Sequence, residues 1–94
     1  MSIDRAIEQR RRLSFRYAGH LRIVEPHIWG MNSRGHEALS AWQSDGSSRS
    51  DKLGWKLFHV EHMHDLRLLG DHFEGPQPDY NPDDPHFESV WCQL

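Results

Sequence analysis

A single cysteine, Cys92, stands in this chain of 94 residues, so an intrachain disulfide and a multi-cysteine zinc cage are both ruled out. No run of about 18 apolar residues occurs, and the opening stretch MSIDRAIEQRRR is charged throughout. Neither a transmembrane helix nor a signal peptide is therefore expected, and a soluble, cytoplasmic protein is. Basic residues are nearly missing from the second half. Residues 57–94 hold one, Arg67, against eight Asp/Glu, whereas residues 1–56 hold ten Lys/Arg against six acids. That asymmetry points either to an anionic partner for the first half or to two solvated faces of opposite sign. The familiar catalytic signatures are absent too: no Gly-x-Ser-x-Gly elbow, no P-loop, no His-Glu-x-x-His. Cys92, beside Trp91 and without a placed base, reads as packing, and Asp83-Asp84 as a helix cap. No enzymatic activity and no cofactor are expected.

What is present suffices for one small domain. Ser2 can cap a short helix, with Asp4 in its first turn and Ile3, Ala6 and Ile7 at helical spacing, fading near Arg11. Leu13, Phe15 and Tyr17 alternate with Ser14 and Arg16, the pattern of a half-buried strand. Ala18-Gly19-His20 turns into a second strand, LRIVEPHI, with Leu21 and Ile23 expected to face the core and Pro26 to mark an edge or the strand's end. Asn32-Ser33-Arg34-Gly35 is a turn, HEALSAWQ a third strand, SDGSSRSDKLG a polar loop and GWKLFHV a fourth strand. HMHDLRLL fits helical and strand spacing, and reads as strand beside its neighbours. GPQPDYNPDDP, with four prolines in eleven residues, is an irregular arm around Tyr80. Asp84-Pro85 then predicts a helix start, with Phe87, Val90, Trp91 and Leu94 at helical spacing. One helix followed by short strands predicts a mainly β fold, a small β-barrel. Residues 1–75 would form the barrel with its N-terminal helix, and residues 76–94 a Pro-rich arm and C-terminal segment packed on it.

Two clusters invite a functional reading. Arg10, Arg11 and Arg12 with Arg16 could contact phosphates, although arginines at a helix end also complement the macrodipole and cover apolar surface. The second reading is the stronger. His59, His62 and His64 suggest a metal site. In a strand His62 and His64 share a face, and in a helix His59 and His62 do. Neither geometry gathers three, and zinc needs three or four ligands, so no metal site is expected.

The run SFRYAGHLRIVEPHIWG, then GHEALSAWQ, a loop and GWKLFHVEHMHDLRLL, resembles the WYL domain family. The likeness rests on Tyr17, the glycine after it, Arg22, the Val24-Glu25-Pro26 ending, and the aromatic-x-Leu strand after the loop. It covers residues 3 to 70. The sequence departs from the family in having Glu37-Ala38-Leu39 where Trp-Tyr-Leu is usual, His59 in place of an arginine, and Leu53 in place of another. The resemblance implies a small Sm-like (SH3-type) β-barrel that in bacterial transcriptional regulators usually follows a winged helix-turn-helix. No such motif lies in these residues, and a stand-alone module is expected. The resemblance also implies a groove of basic and aromatic residues for a nucleotide or single-stranded nucleic acid, serving transcriptional regulation or anti-phage defence. The candidates are Arg22, Arg34, Glu37, Trp42, Arg49 and His59: arginines pairing with charge, Trp42 stacking, and His59 as a pH-sensitive donor. Glu37 would repel phosphate unless paired with Arg22 or Arg49; orienting an arginine and recognising an amine or base edge are both open to it. A regulator protein or a second copy in a homodimer would be the protein partner, and Trp91 and Leu94 make an exchanged C-terminal segment plausible. The alternative is a protein-interaction module without a ligand, docking through a barrel edge or the C-terminal arm.

Overall fold

The structure, a computed structural model, describes residues 2–46 and 53–94. Helix α1 spans Ser2–Gln9, and six strands follow: β1 (Arg11–Tyr17), β2 (His20–Asn32), β3 (Glu37–Gly46), β4 (Gly54–His59), β5 (His64–His72) and β6 (Phe87–Gln93). A single 3₁₀ turn, Val60–His62, separates β4 from β5. The helix buries Ile3, Ala6 and Ile7, the residues its spacing selects, and stops where Arg10 takes a positive φ of 53°. Ala18 and Gly19 also have positive φ, 51° and 79°, forming the two-residue turn that suits a right-twisted hairpin.

All pairings are antiparallel, and the strand order is β4-β3-β2-β1-β5, with β6 also on β2. The expected barrel does not close. Among the described residues no pairing joins β4 to β5, so both remain edges of an open sheet, as does β6, which pairs with β2 alone. Its concave side holds one core: Leu13, Phe15, Val24, Leu39, Ala41 and Phe58 against the buried residues of α1.

Strand β2 is the spine. It pairs with β3 from Arg22 to Met31, with β1 from His20 to Val24, and with β6 from Ile28 to Asn32. Pro26 is therefore not at the strand's end but at a local edge of β2, paired on one side only. It lies where β2 has left β1 and not yet met β6, beside a register shift between Pro26 and Ile28. A residue without an N–H is tolerated at such an irregularity.

Three further expectations need correcting. The face of β2 is the reverse of the one expected: Leu21 is exposed and Val24 buried, because Leu13↔Val24 and Phe15↔Arg22 are the pairs of the hairpin. The third strand runs on through Ser44, Asp45 and Gly46, residues expected in the loop. Phe87–Gln93 is a strand and not a helix. Leaving β1 exposes the backbone of β2 beyond Pro26, and Phe87–Gln93 satisfies it. A Cβ on Gly30 would run into the Ser89 carbonyl oxygen, so this close approach requires glycine.

The arginine triplet ties the chain's two halves together. Arg10 donates to the Glu74 carbonyl (3.0 Å) and Arg11 to the Leu69 carbonyl (2.7 Å). Arg12 bridges Glu25 at 2.9 Å and Asp71 at 2.8 Å. These bonds reach β5 and the segment after it, where a role at the helix end was expected.

Candidate binding surface on the concave face

Alternation places Arg22 with Phe15 on the core-facing side of the sheet, where it is half-buried. The guanidinium lies 5.8 Å from the ring centre of Tyr17 and 5.9 Å from that of Phe58. It donates to Gln43 Oε1 (3.2 Å) and to the Tyr17 carbonyl (3.4 Å). Tyr17 and Phe58 meet edge to face at 5.0 Å, and Phe15 packs on Phe58 at 4.9 Å. An arginine held against two rings keeps a directed, planar set of donors next to an apolar surface.

Tyr17 connects this cation to His59. Its hydroxyl accepts the His59 backbone N–H at 3.1 Å, fixing the end of β4. The His59 ring stacks on His62 (5.9 Å, 15°) and tilts against His36 (5.2 Å, 51°). One oxygen of Glu61 lies 3.4 Å from His36 Nδ1 and 3.8 Å from His62 Nε2. The donor atoms of His36, His59 and Glu61 all lie within 4.8 Å of one another, close enough that these three, among the described residues, could hold a metal ion.

The other candidates go elsewhere. Glu37 accepts the indole N–H of Trp29 at 2.8 Å, which occupies it between β2 and β3; its expected pairing with Arg22 does not occur. Arg34 is exposed in the β2–β3 turn, its backbone N–H held by Asn32 Oδ1 (3.0 Å). Trp42 stands on the opposite, convex face, paired with Glu25 and Trp55. Arg49 lies outside the described residues. The five described candidates thus do not converge: Arg22 and His59 meet through Tyr17, and Trp42 belongs to another surface.

That surface is a second, smaller core under the Pro-rich arm. His27 is fully buried there, against Trp55 (4.6 Å), Tyr80 (5.2 Å) and Phe73 (5.9 Å). Its Nε2 accepts the Gln77 backbone N–H at 3.1 Å, which leaves Nδ1 to donate to the Glu25 carbonyl at 2.8 Å. The ring is therefore neutral and of one tautomer. Burial pushes its pKa below the ordinary value, outweighing the Glu25 carbonyl and carboxylate that favour the charged form. Trp55 donates its indole N–H to the Pro78 carbonyl at 2.9 Å, and Gln77 its amide to Glu25 at 2.7 Å. Between arm and sheet lies a cavity of about 230 Å³, lined by Ile28, Ser40, Trp55, Lys56, Tyr80 and His86. The sequence singled out Tyr80 as the arm's anchor but not this cavity. Burial raises the pKa of the Tyr80 hydroxyl, with Asp83 adding to it. Burial and then the charges of Glu8 and Asp4 also raise the Cys92 thiol, the opposite of what activates a nucleophile.

No family model matches the chain, and neither a curated protein nor a solved structure matches it.

Proposed function

We propose that this chain is a ligand-binding regulatory module of the WYL type that takes a nucleotide or a single strand of nucleic acid at the concave face beside Tyr17, Arg22 and Phe58. One observation carries the reading: the half-buried Arg22 guanidinium set against two aromatic rings. A base brought to such a site would stack on half-buried Tyr17 or on the guanidinium, with Phe58 backing the cation from the core, and a phosphate would pair with the cation. The Sm-like arrangement that the resemblance implies is supported by a helix leading into five strands, of which the first lies beside the fifth. Glu37 and Trp42, with commitments of their own, are not part of the proposed site.

Fluorescence anisotropy of labelled single-stranded DNA, single-stranded RNA and duplex, at two salt concentrations, tests it. Single strands bind, weakening with salt by a slope of about −0.7 per contacted phosphate. Arg22→Ala weakens binding by about tenfold, the value of one charge-assisted contact of about 1.4 kcal/mol, and Arg22→Lys recovers part of it. No binding at concentrations on the order of tens of micromolar, where even non-specific complexes form, overturns the nucleic-acid reading.

The open sheet favours a second reading, docking of a protein partner by strand addition. Strands β4 and β5 are edges among the described residues, and exposed Leu57 lies on β4.

A further inference from the structure

We infer that His36, His59 and Glu61 form a binding site for a divalent transition-metal ion of the zinc type, with His62 placed to supply a fourth ligand. The cluster draws on three separate parts of the fold. His59 ends β4, His36 ends the β2–β3 turn, and Glu61 and His62 sit in the 3₁₀ turn. Strand pairing brings them together: Ala38↔His59 sets the start of β3 beside the end of β4. The turn carrying His36 is itself braced. The Asn32 side chain accepts the N–H groups of both Arg34 and His36 (3.0 and 2.9 Å), and Gly35 takes φ +82°. The 3₁₀ turn is closed by the Met63 N–H on the Val60 carbonyl at 3.0 Å. The backbone is thus fixed while the ligating side chains, exposed or half-buried, retain room to rotate.

The chemistry fits a borderline metal. Two imidazoles and a carboxylate are the ligand types of zinc sites, whereas calcium and magnesium take oxygen alone. Tetrahedral zinc with bonds of about 2.0–2.1 Å holds its ligand atoms roughly 3.4 Å apart. The His36–Glu61 pair already stands at 3.4 Å, and the full set lies within 4.8 Å. Closing the rest takes side-chain rotation of about an ångström, with no backbone movement. His62 stacks on His59 with Nε2 3.8 Å from the Glu61 carboxylate, but it lies outside the set within 4.8 Å, so taking the fourth position asks more of it than of the other three. A salt-bridge explanation covers the His36–Glu61 and His62–Glu61 contacts but leaves the gathering of His36 and His59 around the same carboxylate unexplained.

The inference stands apart from nucleic-acid binding, since its test contains none. Chelator-treated full-length protein is titrated with Co²⁺, whose visible absorption reports coordination, and the bound Co²⁺ is then displaced with Zn²⁺. One equivalent is expected to bind with imidazole-type bands, and zinc to displace it and raise the melting temperature, because the ion joins parts of the fold that separate on unfolding. His36→Gln and Glu61→Gln, both at exposed positions, each weaken binding by at least about tenfold, while His64→Gln and His86→Gln leave it unchanged. Absence of one-to-one binding overturns the inference, and so does binding that survives both His36→Gln and Glu61→Gln.

Discussion

His27 has both ring nitrogens engaged, one by a donor and one by an acceptor, and this fixes how the protein responds to acid. Protonating Nε2 would set a second N–H against that of Gln77 inside an aromatic shell. The folded-state pKa therefore lies below the ordinary 6.5 that the unfolded chain keeps. As pH falls through 6.5 the unfolded chain takes up this proton first, so the contribution is complete above that value and lost below it. The charged groups facing the ring come from β2 and β1: Glu25, and Arg12 pairing with it. Unfolding by urea at about pH 7.5 and about pH 5.5 should show lower stability in acid. His27→Phe should lessen that difference while costing about 1–3 kcal/mol, because the part-buried Gln77 N–H loses its acceptor. Glu25 is the other residue with high stakes. Its side chain is only 3% exposed, and Arg12 and Gln77 divide its two oxygens between them.

Among the elements, β6 shows most clearly what non-local packing decides. Gly30→Ala should strip β6 from β2, since the added methyl group meets the backbone of Ser89. Hydrogen exchange would then rise across Phe87–Gln93 while the amides of β1 and β3 stay protected. This dependence also explains which parts of the fold were legible in the sequence. Helix α1 was, because Ile3, Ala6 and Ile7 leave one periodic reading, and β1 was, because Leu13 and Phe15 alternate cleanly with polar residues. The face of β2 was not, since Leu21, Ile23 and Val24 put apolar side chains on both sides and only pairing with β1 chooses between them. Phe87, Val90 and Trp91 fit a helix as well as a strand, and the choice was made by a glycine far away on β2. The candidate site was legible by halves. Arg22 was found, but its union with His59 runs through the Tyr17 hydroxyl, and Trp42 was lost to the convex face by register alone. His36 escaped notice because only the β3–β4 pairing brings it to His59.

For the whole molecule, the open sheet matters more than the net charge of −3. A closed barrel has no edge to offer, whereas here Leu57 lies 40% exposed on the edge strand β4. If a partner or a second copy docks there, Leu57→Lys should abolish the complex seen by sedimentation velocity and leave the melting temperature nearly unchanged. Nucleic-acid binding at the concave face should survive that substitution, which separates the two readings in one protein.

The four tryptophans fall into two nearly perpendicular pairs, Trp42 with Trp55 (5.6 Å, 90°) under the arm and Trp29 with Trp91 (5.0 Å, 81°) across β2 and β6. Indoles this close couple their electronic transitions and give circular-dichroism bands that vanish when a pair separates. The chain thus carries two optical reporters, one for each way its C-terminal third is fastened down. Release of the arm and release of the last strand can be followed separately, in unlabelled protein, by light alone.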